Sequence, residues 1–261
     1  MSGKTIRLER ITDRTTGRAF ILPLDHGATM GPLPGLYSLK DTVSEAAEAG
    51  ATAVLMHKGM VDKAHRGFGR DVGLIVHLSA GSIYGADPER KVLVSSVEEA
   101  LRLGADAVSV HLNIGGAGEP EMLASAGKIS ADCDKWGVPL LAMVYPKGKA
   151  AEDTDSAKTC VRIAAELGAD LVKIRYTGDS DSFHEVTKGC PVPVVIAGGP
   201  EISSDRALLS MVYDAMEAGG SGISIGRRIF EHQNISGICS ALSDIIFRGA
   251  DVDEAMRRLS P

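Results

Sequence analysis

Eight apolar runs of strand length recur along the chain: AFILPLD at 19–25, TAVLMH at 52–57, GLIVHLS at 73–79, AVSVHLN at 107–113, PLLAMVY at 139–145, DLVKIRY at 170–176, PVVIAGG at 193–199 and GISIGR at 222–227. They are nearly continuous in hydrophobicity rather than alternating, the pattern of parallel strands covered on both faces. Between them lie segments of helical period, including 42–50, 96–104, 155–168 and 204–220, each closed by glycine. Glycine supplies the left-handed cap from which a short turn enters the next strand. The joints AGATAV (49–54), LGADAV (103–108), LGADLV (167–172) and AGGSGI (218–223) repeat one such unit.

Eight units in 261 residues predict one closed (β/α)8 TIM barrel, since an open doubly wound sheet has fewer strands and a glycine-rich turn after the first, absent here. The expected organisation is a single domain, with 1–18 as an N-terminal cap, 19–247 as the barrel and 248–261 as a C-terminal helix.

A net charge of -6 with both signs interspersed offers no basic stripe for nucleic acid and no polybasic membrane patch. No apolar run approaches the roughly 20 residues that span a bilayer, and the charged start MSGKTIRLERI lacks the apolar region of a secretory signal, so the expected location is cytoplasmic. Cys133, Cys160, Cys190 and Cys239 are spaced too irregularly for a metal knuckle or a disulfide framework.

In a barrel of this kind, catalytic groups stand at the C-terminal ends of strands. Lys173 is the most informative of the polar residues placed there, because LVKIRY sets a lysine inside an otherwise apolar strand. An inward amine is desolvated, which lowers a lysine pKa and yields the neutral nucleophile of Schiff-base chemistry. The competing reading is an outward lysine, or one paired with Asp25. Asp25 ends the first run in LPLDHG and Tyr145 the fifth in MVYPKG. A carboxylate there can assist dehydration of the carbinolamine, and a phenol can exchange a proton with a substrate hydroxyl. The turns AGGP (197–200) and IGRR (225–228) follow runs 7 and 8, where barrels bind phosphate on backbone N–H groups. Arg227 or Arg228 would add charge-assisted hydrogen bonds. The seven histidines form no HExxH or HxH pair, so neither a metal nor another cofactor is expected.

The motifs LPLDHG, YPKG, LVKIRYTGD and AGGP, with RLERI, AVLMHKGMV, HRGFGR and SIGRRIF, span nearly the whole chain, which resembles the archaeal-type class I aldolases. The resemblance implies Lys173 as the Schiff-base lysine, Tyr145 as the acid/base and Asp25 as the supporting carboxylate. It implies phosphate binding at Gly198, Gly199, Gly226 and Arg227, with His26, His57 and Lys58 near the substrate, while Lys147 and Arg175 are binding candidates by their position at strand ends. Within the family it is greatest to the branch that transfers a fragment of a phosphorylated ketose to L-aspartate semialdehyde. Bisphosphate cleavage and joining of dihydroxyacetone phosphate to the same semialdehyde are the alternatives. A noncatalytic sugar-phosphate sensor and a zinc lyase are more distant readings. The resemblance also implies a high-order homo-oligomer, and the proline- and glycine-rich segment 28–36 is a candidate lid.

Overall fold

The structure, a computed structural model, describes residues 3–64, 69–148, 153–199 and 202–259. The eight runs form strands β1 (Ala19–Pro23), β2 (Ala53–His57), β3 (Gly73–His77), β4 (Ala107–Ile114), β5 (Leu140–Pro146), β6 (Leu171–Arg175), β7 (Val194–Ala197) and β8 (Gly222–Ser224). All pair in parallel with their sequence neighbours, and β8 closes on β1 with Ala19 opposite Gly222. The chain is therefore a closed barrel. A two-stranded ribbon, Ser79–Ala80 with Val92–Leu93, sits in the loop between β3 and β4.

The repeated joint has one hydrogen-bond pattern. Ala51, Ala105, Ala169 and Gly220 each donate a backbone N–H to the last turn of the preceding helix, at Ala46, Ala100, Ala164 and Ala215. Each following residue, Thr52, Asp106, Asp170 or Ser221, then donates its N–H to the strand before it, at Phe20, Leu74, Leu140 or Val194. In three joints the side chain returns the bond. Thr52 Oγ1, Asp106 Oδ2 and Asp170 Oδ2 each accept the N–H of Phe20, Leu74 and Leu140 at 2.9 Å. Donors at the start of a buried strand would otherwise go unpaired. Gly104 and Gly168 (φ 87° and 91°) make the left-handed turn that each joint requires.

Two of these carboxylates also hold the N-terminal cap. Helix Gly3–Ile11 lies across the barrel floor, with Lys4 Nζ 3.0 Å from Asp170 and Arg10 Nε 2.5 Å from Asp106. Ile11 is buried there among Ile21, Leu55, Ile75, Leu141 and Leu171, the apolar lower layers of the barrel interior. The opposite strand faces, with Val54, Val76, Val172 and Ile196, pack against the helices. Leu171, Lys173 and Arg175 thus share the inner face of β6, and the polar residues come last, at the mouth.

At the C-terminus, helix Ile235–Arg248 stops where Gly249 turns left-handed (φ 69°), and a separate helix, Val252–Met256, follows. Within the stretch 248–261, expected as a C-terminal helix, the described residues hold this short helix after the Gly249 turn. The longest helix, Glu119–Trp136, follows β4. Among the described residues, no helix is long and apolar enough to cross a membrane.

Candidate active site

The barrel mouth encloses a cavity of about 400 Å³, lined by residues that include Lys173, Tyr145, His111, Asn113, Arg175, Gly198, Gly199 and Gly226. Lys173 is paired in the ladder with Met143 on one side and Val195 on the other. Its exposure is 6%, and among the described residues its ammonium has no hydrogen-bond or ion-pair partner. The lysine therefore points inward, and the outward reading is excluded. Pairing with Asp25 is also absent as a contact.

Tyr145 stands one strand away, its ring 5.0 Å from that of His111 and 5.6 Å from the Arg175 guanidinium carbon. Both neighbours fix the phenol over the cavity. His111 Nε2 meets Asn113 Oδ1 at 3.0 Å, and burial lowers its pKa to about 3. It is neutral at ordinary pH.

Asp25 lies behind the cavity wall, its carboxylate 3.5 Å from His26 Nδ1 and 3.9 Å from His77 Nε2. Burial pushes this carboxyl upward, but in the acid range where it titrates, attraction to His77, His26 and Lys173 outweighs burial and holds it below the ordinary carboxylate range. Asp25 is thus an anion at ordinary pH, within electrostatic reach of Lys173. His77 is buried, with Nδ1 2.7 Å from Ser109 Oγ, and burial lowers its pKa to about 4. Burial also lowers His26 and His57.

The opposite rim is built by the loops after β7 and β8. A Cβ on Gly226 would come 2.5 Å from His26 Cε1 and 2.8 Å from the Pro23 carbonyl oxygen, so only glycine fits between them. Among the described residues Ser224 Oγ is buried without a hydrogen-bond partner, and Arg227 and Arg228 add positive charge, Arg228 beside Asp205 at 3.7 Å, with Glu231 also in the wall. Unpaired donors beside bare backbone suit an anionic oxygen ligand.

Most expected residues meet at this cavity: Lys173, Tyr145, His26, Lys147, Arg175, Gly198, Gly199, Gly226 and Arg227 all line it. Lys58 does not. Its Nζ turns to Glu99, 3.0 and 3.1 Å from the two carboxylate oxygens. His57 packs against His77, with ring centroids 5.2 Å apart, outside the cavity wall. Pro200 of the AGGP turn, and His65 with most of HRGFGR, lie outside the described residues. Sequence reading missed Glu89, Lys91 and Ser224. The first two sit in the charged stretch DPERK, which reads as solvated surface, whereas Ser224 was visible as the one polar residue between two isoleucines in GISIG. Among the described residues, no group of His, Cys, Asp and Glu is arranged to hold a metal.

The family model of the DeoC/LacD family aldolases matches residues 19–232. The chain belongs to this aldolase family. A 2-amino-3,7-dideoxy-D-threo-hept-6-ulosonate synthase of Halobacterium salinarum is 40% identical over 98% of this chain and 96% of its own. A 2-amino-4,5-dihydroxy-6-oxo-7-(phosphonooxy)heptanoate synthase of Streptomyces griseus is 42% identical over 93% of this chain and 90% of its own. The structure of an archaeal fructose-1,6-bisphosphate aldolase, with its catalytic lysine covalently bound to the carbinolamine intermediate, superposes with a TM-score of 0.86. That aldolase is 31% identical, covering 93% of this chain and 99% of the other. As a DeoC/LacD aldolase, the chain carries Lys173, the one buried lysine among the described residues, in the wall of this cavity.

Proposed function

We propose that the protein is a Schiff-base transaldolase, a 2-amino-3,7-dideoxy-D-threo-hept-6-ulosonate synthase. Its donor is 6-deoxy-5-ketofructose 1-phosphate and its acceptor L-aspartate semialdehyde. The observation that carries this reading is Lys173, an unpaired amine buried at the floor of a cavity that has Tyr145 on one side and the Gly198–Gly226 rim on the other. The greater identity to the two synthases, 40 and 42% against 31% for the bisphosphate aldolase, favours synthesis over bisphosphate cleavage.

The amine adds to the donor ketone, and water leaves to give the iminium ion. Asp25, fixed as an anion, stabilises that positive charge through the field. Tyr145 takes the proton of the hydroxyl two carbons from the iminium carbon. The bond between that hydroxyl-bearing carbon and its neighbour breaks, an aldehyde departs and a three-carbon enamine remains on Lys173. The enamine carbon then bonds to the aldehyde carbon of L-aspartate semialdehyde, whose oxygen receives the proton back from Tyr145. Hydrolysis frees the lysine. Four acceptor carbons plus three give the seven of the product.

The Streptomyces relative supports a second reading. Its product name carries a phosphonooxy group at carbon 7, where the Halobacterium product is deoxy, so the two reactions differ in the end of the three-carbon fragment. Dihydroxyacetone phosphate would be the donor in that case. Borohydride reduction with each ketose, followed by peptide mapping and mass analysis of the product made with L-aspartate semialdehyde, separates the readings. An adduct on Lys173 with an unphosphorylated heptulosonate establishes the first, a phosphorylated product the second, and no adduct refutes both. The active assembly is a homo-oligomer in this proposal, which the exposed Tyr37 and Trp136 rings support and sedimentation tests. Ligand-dependent proteolysis tests closure of 28–36, a segment that Gly35 anchors against the Phe230 carbonyl.

A further inference from the structure

The cavity has a second charged wall that the imine chemistry does not use. It faces the Gly226–Arg228 rim from the β4 and β5 side, across the barrel from β8. Glu89 and Lys91 reach it from the β3–β4 loop, and Lys147 from the turn after β5. Lys147 Nζ lies 2.8 Å from Glu89 Oε2, and Lys91 Nζ donates to the Pro88 carbonyl oxygen at 2.7 Å. Lys91 therefore keeps N–H groups to offer a ligand.

The placement of these groups is built into the loop. Asn113, on the inner face of β4, donates its side-chain amide to the Glu89 backbone carbonyl oxygen, which ties the loop to the barrel. The ribbon formed by Ser79–Ala80 and Val92–Leu93 holds the loop's two ends together. At Gly81 a Cβ would come 3.0 Å from Lys91 Nζ and 2.8 Å from its Cδ, so the lysine folds back over bare backbone.

We infer that Glu89, Lys91 and Lys147 form a zwitterion subsite that selects an α-amino-acid aldehyde as acceptor. The lysines take the α-carboxylate and Glu89 takes the α-ammonium, leaving the aldehyde carbon directed toward Lys173. This rests on the reading of Lys173 given above and adds the source of acceptor choice. An amino acid head group matches both signs.

The test compares L-aspartate semialdehyde with succinic semialdehyde, which keeps the carboxylate and lacks the ammonium. The ratio of their kcat/KM values is read in the intact enzyme and in Glu89→Gln and Lys91→Met, with the inhibition constant of succinic semialdehyde used where it is not turned over. Losing a charged hydrogen-bond partner should lower the ratio about tenfold or more in Glu89→Gln. In Lys91→Met both acceptors should weaken together and the ratio should hold. Equal weakening of both acceptors in Glu89→Gln, with borohydride trapping of Lys173 intact in the unsubstituted enzyme, overturns the subsite and leaves the Schiff-base reading standing. Absence of the adduct in the unsubstituted enzyme overturns both.

Discussion

At the scale of single residues, the proposed mechanism separates a group that reacts from groups that set its conditions. Lys173 and Tyr145 both line the cavity, whereas Asp25 stands behind it. Replacing Lys173 with Met should abolish the borohydride adduct and turnover together. Tyr145→Phe should leave the adduct and reduce kcat about 10²–10⁴-fold, the range for losing one general acid/base, as single-turnover kinetics would show. Equal loss of adduct in both variants would mean that Tyr145 shapes the pocket rather than moving the proton. Lys173 was legible in the sequence because a cation in an apolar strand violates the local pattern. Tyr145 was legible because it ends a strand. Glu89 and Lys91 were not, since nothing in a charged loop states which way it folds. Lys58 misled for a related reason: it follows a strand end, yet Glu99 from the next helix captures it, a pairing set by tertiary contact alone.

At the scale of elements, the repeated joint explains both the fold and its legibility. The position after the Gly-Ala pair is Thr52, Asp106 or Asp170 because that side chain must accept an N–H from the neighbouring strand. A physical requirement repeated at several joints is what produced a visible sequence repeat. Asp170→Ala strands the Leu140 N–H at a buried strand start and removes one partner of Lys4. It should cost about 1–3 kcal/mol, the range for an orphaned buried donor. Asp170→Asn, which retains an acceptor oxygen, should recover most of that loss, and urea midpoints of the two variants check it. Elements without the repeat were harder to see. Glu119–Trp136 carries Pro120 near its start and Gly127 inside it, and its apolar residues form a weak stripe, so its length comes from packing on β4 and on the helix Val97–Arg102 rather than from its own pattern. The ribbon at 79–80 and 92–93 is too short to show a period.

At the scale of the whole molecule, the cost of the polar mouth is a dependence of stability on pH. His77 and His111 are neutral in the folded chain, with burial holding them at about 4 and about 3, while the unfolded chain protonates both near 6.5. Below pH 6.5 the unfolded state therefore binds more protons than the native state, and stability falls with decreasing pH. The loss runs from about pH 6.5 down to about 4 for His77 and about 3 for His111, each contributing up to about 1.4 kcal/mol per pH unit within its window. Asp25, held below the ordinary carboxylate range, has the same sign of effect but acts only at the acid end. Thermal melts between pH 7 and 5 should thus show a falling Tm before any carboxylate titrates appreciably. His111→Gln should lessen that slope, because it deletes one of the groups that burial keeps neutral. A Tm level across this interval in the unsubstituted protein would show that the mouth admits protons without unfolding. Asp25 would then face a charged His77, and its field at Lys173 would be partly cancelled, so the same experiment bears on the catalytic role assigned to that carboxylate.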